Sequence, residues 1–134
     1  MNTKARVLQL PQFSDSRGTL TVGEVSTLPF QPVRFFVIGD VPAGAVRGRH
    51  AHKACHQLVV VARGACKLTL IDQHGRDEFT LSSAEIAVHI PPLTWGEQSE
   101  FTPGAVVLVL ASDPYDANDY IRSLDELLGP TAPA

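Results

Sequence analysis

Two histidines one residue apart, His50 and His52, are the chemistry-bearing feature of this 134-residue sequence. In an extended chain, residues two apart project from the same face, so the two imidazoles stand side by side. Arg47 and Gly48 precede them and Lys53 follows. An imidazole takes up a proton and returns it near neutral pH. A guanidinium beside it can stabilise negative charge as that charge develops. With Gly48 giving close access to the backbone, the group reads as one wall of a polar pocket suited to proton transfer. The plainer alternative is a pair of surface histidines on a strand. Two arginines and a lysine around the pair favour the pocket. Arg49 alternates to the face opposite His50 and is expected at the surface.

Short strands must position this wall. Ten glycines and ten prolines punctuate the chain. They leave apolar runs at 6–10, 19–25, 33–38, 48–52, 57–63, 65–71, 77–81, 85–90, 95–101 and 105–111. Many short strands at about ten-residue spacing indicate a sandwich or small barrel. Asp72-Gln73-His74-Gly75 has the residues of a hairpin tip. Cys66, Leu68 and Leu70 alternate with Lys67 and Thr69 on its first arm. The runs 57–62 and 105–110 are apolar on both faces and are expected to be central. One helical pattern spans 119–128, with Asp116 or Asn118 as its cap and Gly129-Pro130 as its stop. The tail 131–134 is expected to fray.

Composition narrows the function classes. Apolar residues make up 44% and charged residues 19%, a globular balance for one domain over residues 1–134. The net charge is −3 with no Lys/Arg block, which argues against generic nucleic-acid or anionic-membrane binding. The longest apolar run, Ala105 to Ala111, is far short of the roughly 20 residues that span a bilayer. No apolar stretch follows the first residues, so no secretory signal is expected. Cys55 and Cys66 form no CxxC pair and are expected to be reduced and buried in a cytoplasmic protein.

The spacing Gly44, five residues, His50-x-His52, four residues, Gln57, six residues, Gly64 resembles the first cupin motif. That resemblance implies an all-β fold: a double-stranded β-helix, or small jelly-roll barrel, here with a short C-terminal helix. Metal-binding cupins use two histidines, a glutamate and a fourth histidine from a second motif. Gln57 stands at the glutamate position. The second motif reads Pro91-Pro92-Leu93-Thr94-Trp95-Gly96, which puts Gly96 at the fourth ligand position. Two imidazoles and an amide make a weak divalent-ion site, so no metal is expected. His56 and His89 are the available substitutes, but His89 sits with Glu85 and Ala87 on the face opposite Ile86, Val88 and Ile90.

The ordered set of segments goes further. It comprises Asp15-Ser16-Arg17-Gly18-Thr19-Leu20, Pro29-Phe30, Arg34-Phe35-Phe36, Asp40-Val41-Pro42 and Arg47-Gly48-x-His50-Ala51-His52-Lys53 with Gln57. Pro91-Pro92-x-x-Trp95, Pro114-Tyr115-Asp116 and Asp119-Tyr120-Ile121-Arg122 complete it. The set resembles the WxcM-like, metal-free dTDP-4-keto-6-deoxyglucose 3,4-ketoisomerases. The resemblance implies a homodimer, no cofactor, and a dTDP-linked 4-keto-6-deoxyhexose as substrate. The product would be a 3-keto sugar, of gluco or galacto configuration at carbon 4, passed to an aminotransferase. His52 is the expected base, with His50 shuttling the proton or holding sugar hydroxyls, and Arg47 is the expected oxyanion donor. Arg17, Arg47 and Lys53 are candidates for the pyrophosphate, Gln57 for a sugar hydroxyl and Trp95 for the flat face of the base or sugar. Each has a plainer alternative: Arg17 bracing its turn, Lys53 solvated at an edge, Gln57 satisfied on a barrel wall, Trp95 in the core. Family members often carry Tyr at the position of Val37 and His or Arg at that of Gly96. Without those groups, a non-catalytic nucleotide-sugar-binding cupin is the competing class, and a metal cupin the third.

Overall fold

The computed structural model describes residues 2–129, so the expected fraying of 131–134 lies outside the described residues. Twelve strands and one short helix follow one another: β1 (Arg6–Gln9), β2 (Gln12–Asp15), β3 (Gly18–Thr21), β4 (Arg34–Ile38), β5 (Arg47–His52), β6 (Gln57–Arg63), β7 (Cys66–Asp72), β8 (Gly75–Leu81), β9 (Ile86–Ile90), β10 (Trp95–Ser99), β11 (Val106–Ala111), β12 (Tyr120–Ile121) and α1 (Leu124–Leu128). Each of the ten apolar runs overlaps a strand. Two antiparallel five-stranded sheets form, in the orders β1-β9-β6-β11-β4 and β12-β5-β10-β7-β8, beside a separate β2–β3 hairpin. This is the all-β barrel-like architecture that the spacing of the turns predicts.

The core lies between the sheets. Val59 and Val61 of β6, Val107 and Val109 of β11 and Val88 of β9 meet Cys66, Leu68, Leu70 and Leu81 from the facing sheet. Every one of them is almost fully buried. The period-two alternation on the β7–β8 hairpin aims its apolar side at this layer. Its tip closes as expected: the Asp72 carboxylate accepts from the backbone N–H of His74 at 2.7 Å and of Gly75 at 3.1 Å. The central strands β6 and β11 are covered on both faces. On the outer one, Leu58, Val60 and Ala87 pack with Leu10, Leu28 and Phe30.

The C-terminal segment departs from its helical pattern. Asp116 caps only a single 3₁₀ turn, Ala117–Asp119, accepting from the Asn118 N–H at 2.9 Å. Tyr120 and Ile121 then pair with His52 and Ala51 as β12. The α-helix starts four residues later than β12 does, with Ser123 as its cap, and Gly129 ends it at φ 80°. Tertiary pairing overrides a local period here, because docking on β5 buries Ile121 with Ala51, Trp95 and Leu127.

Leu81 is 2% exposed and fills the space between the sheets at the end of the β7–β8 hairpin. Leu81→Ala is expected to lower unfolding free energy by about 2–5 kcal/mol. Urea titration followed by circular dichroism checks this, and a loss under about 1 kcal/mol would contradict the packing described.

Candidate active site

β5 supplies one wall of an open cleft. Its polar lining is Arg47, His50, His52, Gln57, Thr94 and Gln98, and its apolar lining is Phe36, Ile38, Leu68, Ile90 and Val109. Strict alternation would send Arg47 to the face away from the histidines. A bulge changes this. Against β10, His50 pairs with Gly96 and Gly48 with Glu97, leaving Arg49 as the extra residue. Gly48 takes φ 86° and Arg49 takes φ 58°. A side chain on Gly48 would place its Cβ 2.8 Å from the Gly96 carbonyl oxygen. The close approach therefore requires glycine, and it brings Arg47 to the same cleft as the imidazoles.

The two rings lie 5.0 Å apart, edge to face, and Tyr120 packs against both, at 4.9 and 4.5 Å. Each ring is tied by Nδ1. His50 Nδ1 lies 3.1 Å from the Gly48 carbonyl, and His52 Nδ1 lies 2.8 Å from Asp119 Oδ2. Both partners are acceptors, so Nδ1 carries the hydrogen and Nε2 keeps its lone pair when the ring is neutral. His52 Nε2 is buried without a partner, as is Gln98 Oε1, and both residues line the cleft. Burial of such groups without partners is costly and marks a place for a ligand.

Charge states follow from the surroundings. Burial holds His52 below the usual imidazole range, although Asp119 pulls the other way. Burial, then the nearby His52, lowers His50 as well. Burial pushes the Asp119 carboxyl up, but N–H bonds from Ala54, His52 and Cys55 prevail and hold it below the usual carboxylate range. At pH 7 the pair is thus two neutral imidazoles beside one carboxylate.

The expected residues divide. Arg47, His50, His52 and Gln57 meet at the cleft. Trp95 does not line it: the indole is 6% exposed, packed against Ala51, Ile121 and Leu127, and its N–H donates to Glu97 at 2.9 Å. Lys53 is exposed beyond the end of β5. Arg17 is exposed at the β2–β3 turn, paired with Asp15 at 2.7 Å. Val37 is exposed on the outer face of β4, whereas its neighbours Phe36 and Ile38 line the cleft, so the valine takes nothing from this wall. His56 and His89 bond to each other at 2.9 Å, beside Phe30. His52, Cys55 and Asp119 bring ligand-type atoms within 4.8 Å of one another, but both Asp119 oxygens are already committed to N–H donors. Asp119, Tyr120 and Gln98 were not among the expected site residues. The segment Asp119-Tyr120-Ile121-Arg122 was visible as a motif, but its apolar period pointed to a helix.

The model of the family described as FdtA, WxcM-like, C-terminal, matches residues 3–130. The chain is 37% identical over 121 residues to the TDP-4-oxo-6-deoxy-α-D-glucose-3,4-oxoisomerase of Aneurinibacillus thermoaerophilus, covering 90% of this chain and 87% of that one. Among solved structures it resembles the sugar 3,4-ketoisomerase QdtA of Thermoanaerobacterium thermosaccharolyticum in complex with TDP. The TM-score is 0.88 at 34% identity, over 92% of this chain and 90% of that one. The TDP-quinovose 3,4-ketoisomerase WlaRB of Campylobacter jejuni gives a TM-score of 0.87 at 36% identity, over 93% and 97%.

Folding keeps His50, His52 and His89 below the ordinary 6.5, chiefly by burial. The unfolded chain therefore binds protons that the folded chain refuses. The stability at stake is whole above pH 6.5 and is lost as the pH falls from there toward the folded values. Urea midpoints measured at pH 7.5, 6.5 and 5.5 are expected to fall on the acid side. A midpoint unchanged at pH 5.5 would overturn the assignment of buried neutral imidazoles.

Proposed function

The chain belongs to the WxcM-like, C-terminal (FdtA) family, and from that membership we propose that it is a sugar-nucleotide 3,4-ketoisomerase acting on TDP-4-keto-6-deoxyglucose. Its named relatives are isomerases of this kind. One structural observation carries the reading to this chain: two neutral imidazoles share a cleft, each with Nδ1 tied and Nε2 free. That is the equipment for moving a proton between adjacent carbons.

In this reading His52 Nε2 removes the proton on carbon 3 beside the carbon 4 ketone. An enediolate forms, and its negative oxygen lies against the Arg47 guanidinium. A proton returns to carbon 4 through His50 or His52, and the carbon 3 hydroxyl gives its proton to the carbon 4 oxygen, leaving the new ketone at carbon 3 and a hydroxyl at carbon 4. No electron leaves the sugar, so the step balances without an oxidant. Gln57 and Gln98 face sugar hydroxyls. Arg47 also meets the pyrophosphate, with Arg17 and Lys53 as the outer cations. Trp95 supports the wall from behind, where its burial places it, rather than offering an open face. The 3-keto product suits an aminotransferase, which places the reaction in amino-deoxysugar synthesis for a surface polysaccharide or a glycosylated metabolite, in the cytoplasm. Among the described residues, no helix is long and apolar enough to cross a membrane.

The same reading makes the protein a homodimer of one-domain chains. Phe35 and Val37 are exposed on the outer face of β4, at 67% and 57%, and Phe13 and Leu20 are exposed on the β2–β3 hairpin. Exposed apolar pairs of this kind, one on β4 and one on the hairpin, are characteristic of surfaces that a partner buries. Analytical ultracentrifugation is expected to give twice the chain mass, and Phe35→Glu to shift it toward the monomer. A monomeric wild-type protein at micromolar concentration would overturn the dimer.

The catalytic reading is tested by incubating the protein with TDP-4-keto-6-deoxyglucose in deuterium oxide and following the sugar protons by NMR. The carbon 3 proton is expected to vanish as a deuterated carbon 4 centre appears. His52→Asn should retain TDP binding and lose about 10²–10⁴ in kcat. Binding without exchange by the wild-type protein would instead establish a non-catalytic sugar-nucleotide binder.

A further inference from the structure

We propose that Asp119 is a positioning residue that acts through His52, fixing which ring nitrogen faces the substrate. Its effect on rate rests on the ketoisomerase reading, whereas its effect on the ring does not.

The geometry is closed on every side. Asp119 Oδ2 accepts from His52 Nδ1 at 2.8 Å and from the Cys55 N–H at 3.4 Å. Oδ1 accepts from the Ala54 N–H at 2.7 Å. The side chains of His52 and Asp119 are 6% and 14% exposed, so water competes little for the contact. The backbone is held as firmly. The Asp119 carbonyl accepts from the Lys53 N–H at 2.8 Å, and the Asp119 N–H donates to the Asp116 carbonyl at 3.0 Å. The next residue, Tyr120, pairs with His52 across the sheet. The carboxylate is therefore fixed before any substrate arrives.

An ionised carboxylate has no hydrogen to give, so it admits only one neutral tautomer of His52, the one with Nδ1–H. Nε2 is then left with its lone pair in a residue that lines the cleft, without another partner. If the imidazole takes the sugar proton at Nε2, the resulting cation stands beside an anion that stabilises it. His50 has no such partner: its Nδ1 meets the neutral Gly48 carbonyl. The two imidazoles are thus unequal, and Asp119 is what makes His52 the stronger base.

Three readouts separate positioning from mere support. In the wild-type protein, ¹⁵N NMR of histidine-labelled chain is expected to show neutral His52 as the Nδ1–H tautomer. The Nε2–H form there would overturn the proposal without recourse to any variant. Asp119→Asn, checked by circular dichroism, is expected to lower the His52 titration midpoint and mix its tautomers. With TDP-4-keto-6-deoxyglucose, kcat should fall about 10²-fold at its alkaline plateau, with KM and TDP affinity changed less than about threefold. The acid limb of the pH profile should move to lower pH. In His52→Asn/Asp119→Asn, the second substitution should add no further loss in rate, because its target is gone. Multiplying losses, or an unmoved tautomer and acid limb in Asp119→Asn, would overturn the proposal. A wild-type protein that shows the expected tautomer but no turnover would instead reject the ketoisomerase reading and leave Asp119 positioning a ligand-binding imidazole.

Discussion

One hydrogen bond, from His52 Nδ1–H to Asp119, joins two parts of the chain 67 residues apart. Around it the end of β5 and the C-terminal segment become one unit. β12 adds to the sheet beside β5, α1 covers Trp95 and Ile121, and the Lys53 and Ala54 amides find acceptors on Asp119. A buried polar pair of this kind is stabilising only while both members are present, since either alone is an unsatisfied group in a poor solvent. The site and the packing of the C-terminus are therefore conditions of one another.

The other constraint is backbone shape. β5 must carry a guanidinium and two imidazoles into one cleft, and a regular strand cannot do so at the spacing 47, 50, 52. The bulge at Arg49 supplies the missing half-period. It is tolerated because Gly48 lies against the Gly96 carbonyl, where no Cβ fits. The dense layer beneath, of Leu68, Leu70, Val107 and Val109, keeps the wall from relaxing.

Much of this was legible in the sequence, for definable reasons. Glycine and proline punctuation gave the strands of both sheets except β12, and the alternation in 66–71 gave the inward face of β7. His50 and His52 were legible because strand geometry and motif spacing converge on them, and Arg47 and Gln57 through the motif alone, since regular alternation would have turned Arg47 away. The failures were of two kinds. Residues 119–128 have a helical apolar period, yet the pairing of Tyr120 and Ile121 with β5 wins, because a sheet edge and a half-covered Trp95 are available only in three dimensions. Asp119 and Gln98 escaped notice because a single polar residue carries no period. Only its distance from His52, or its position across from Arg47, gives it meaning. Trp95 shows the converse: an aromatic at a motif position suggested a binding face, and burial placed it in the core.

The exchange of donors at the cleft follows one chemical logic. A divalent ion needs anionic or imidazole ligands converging on one point, with their lone pairs turned inward. Gln57 and Gly96 remove half of such a set. The carboxylate bonded to His52, that of Asp119, is turned to Nδ1 and to backbone amides. A carboxylate placed there cannot share a metal with His52 Nε2, but it can raise the basicity of that nitrogen. Here the negative charge of Asp119 lies against Nδ1 of His52 and backbone amides, an arrangement unlike a set of ligands converging on one ion.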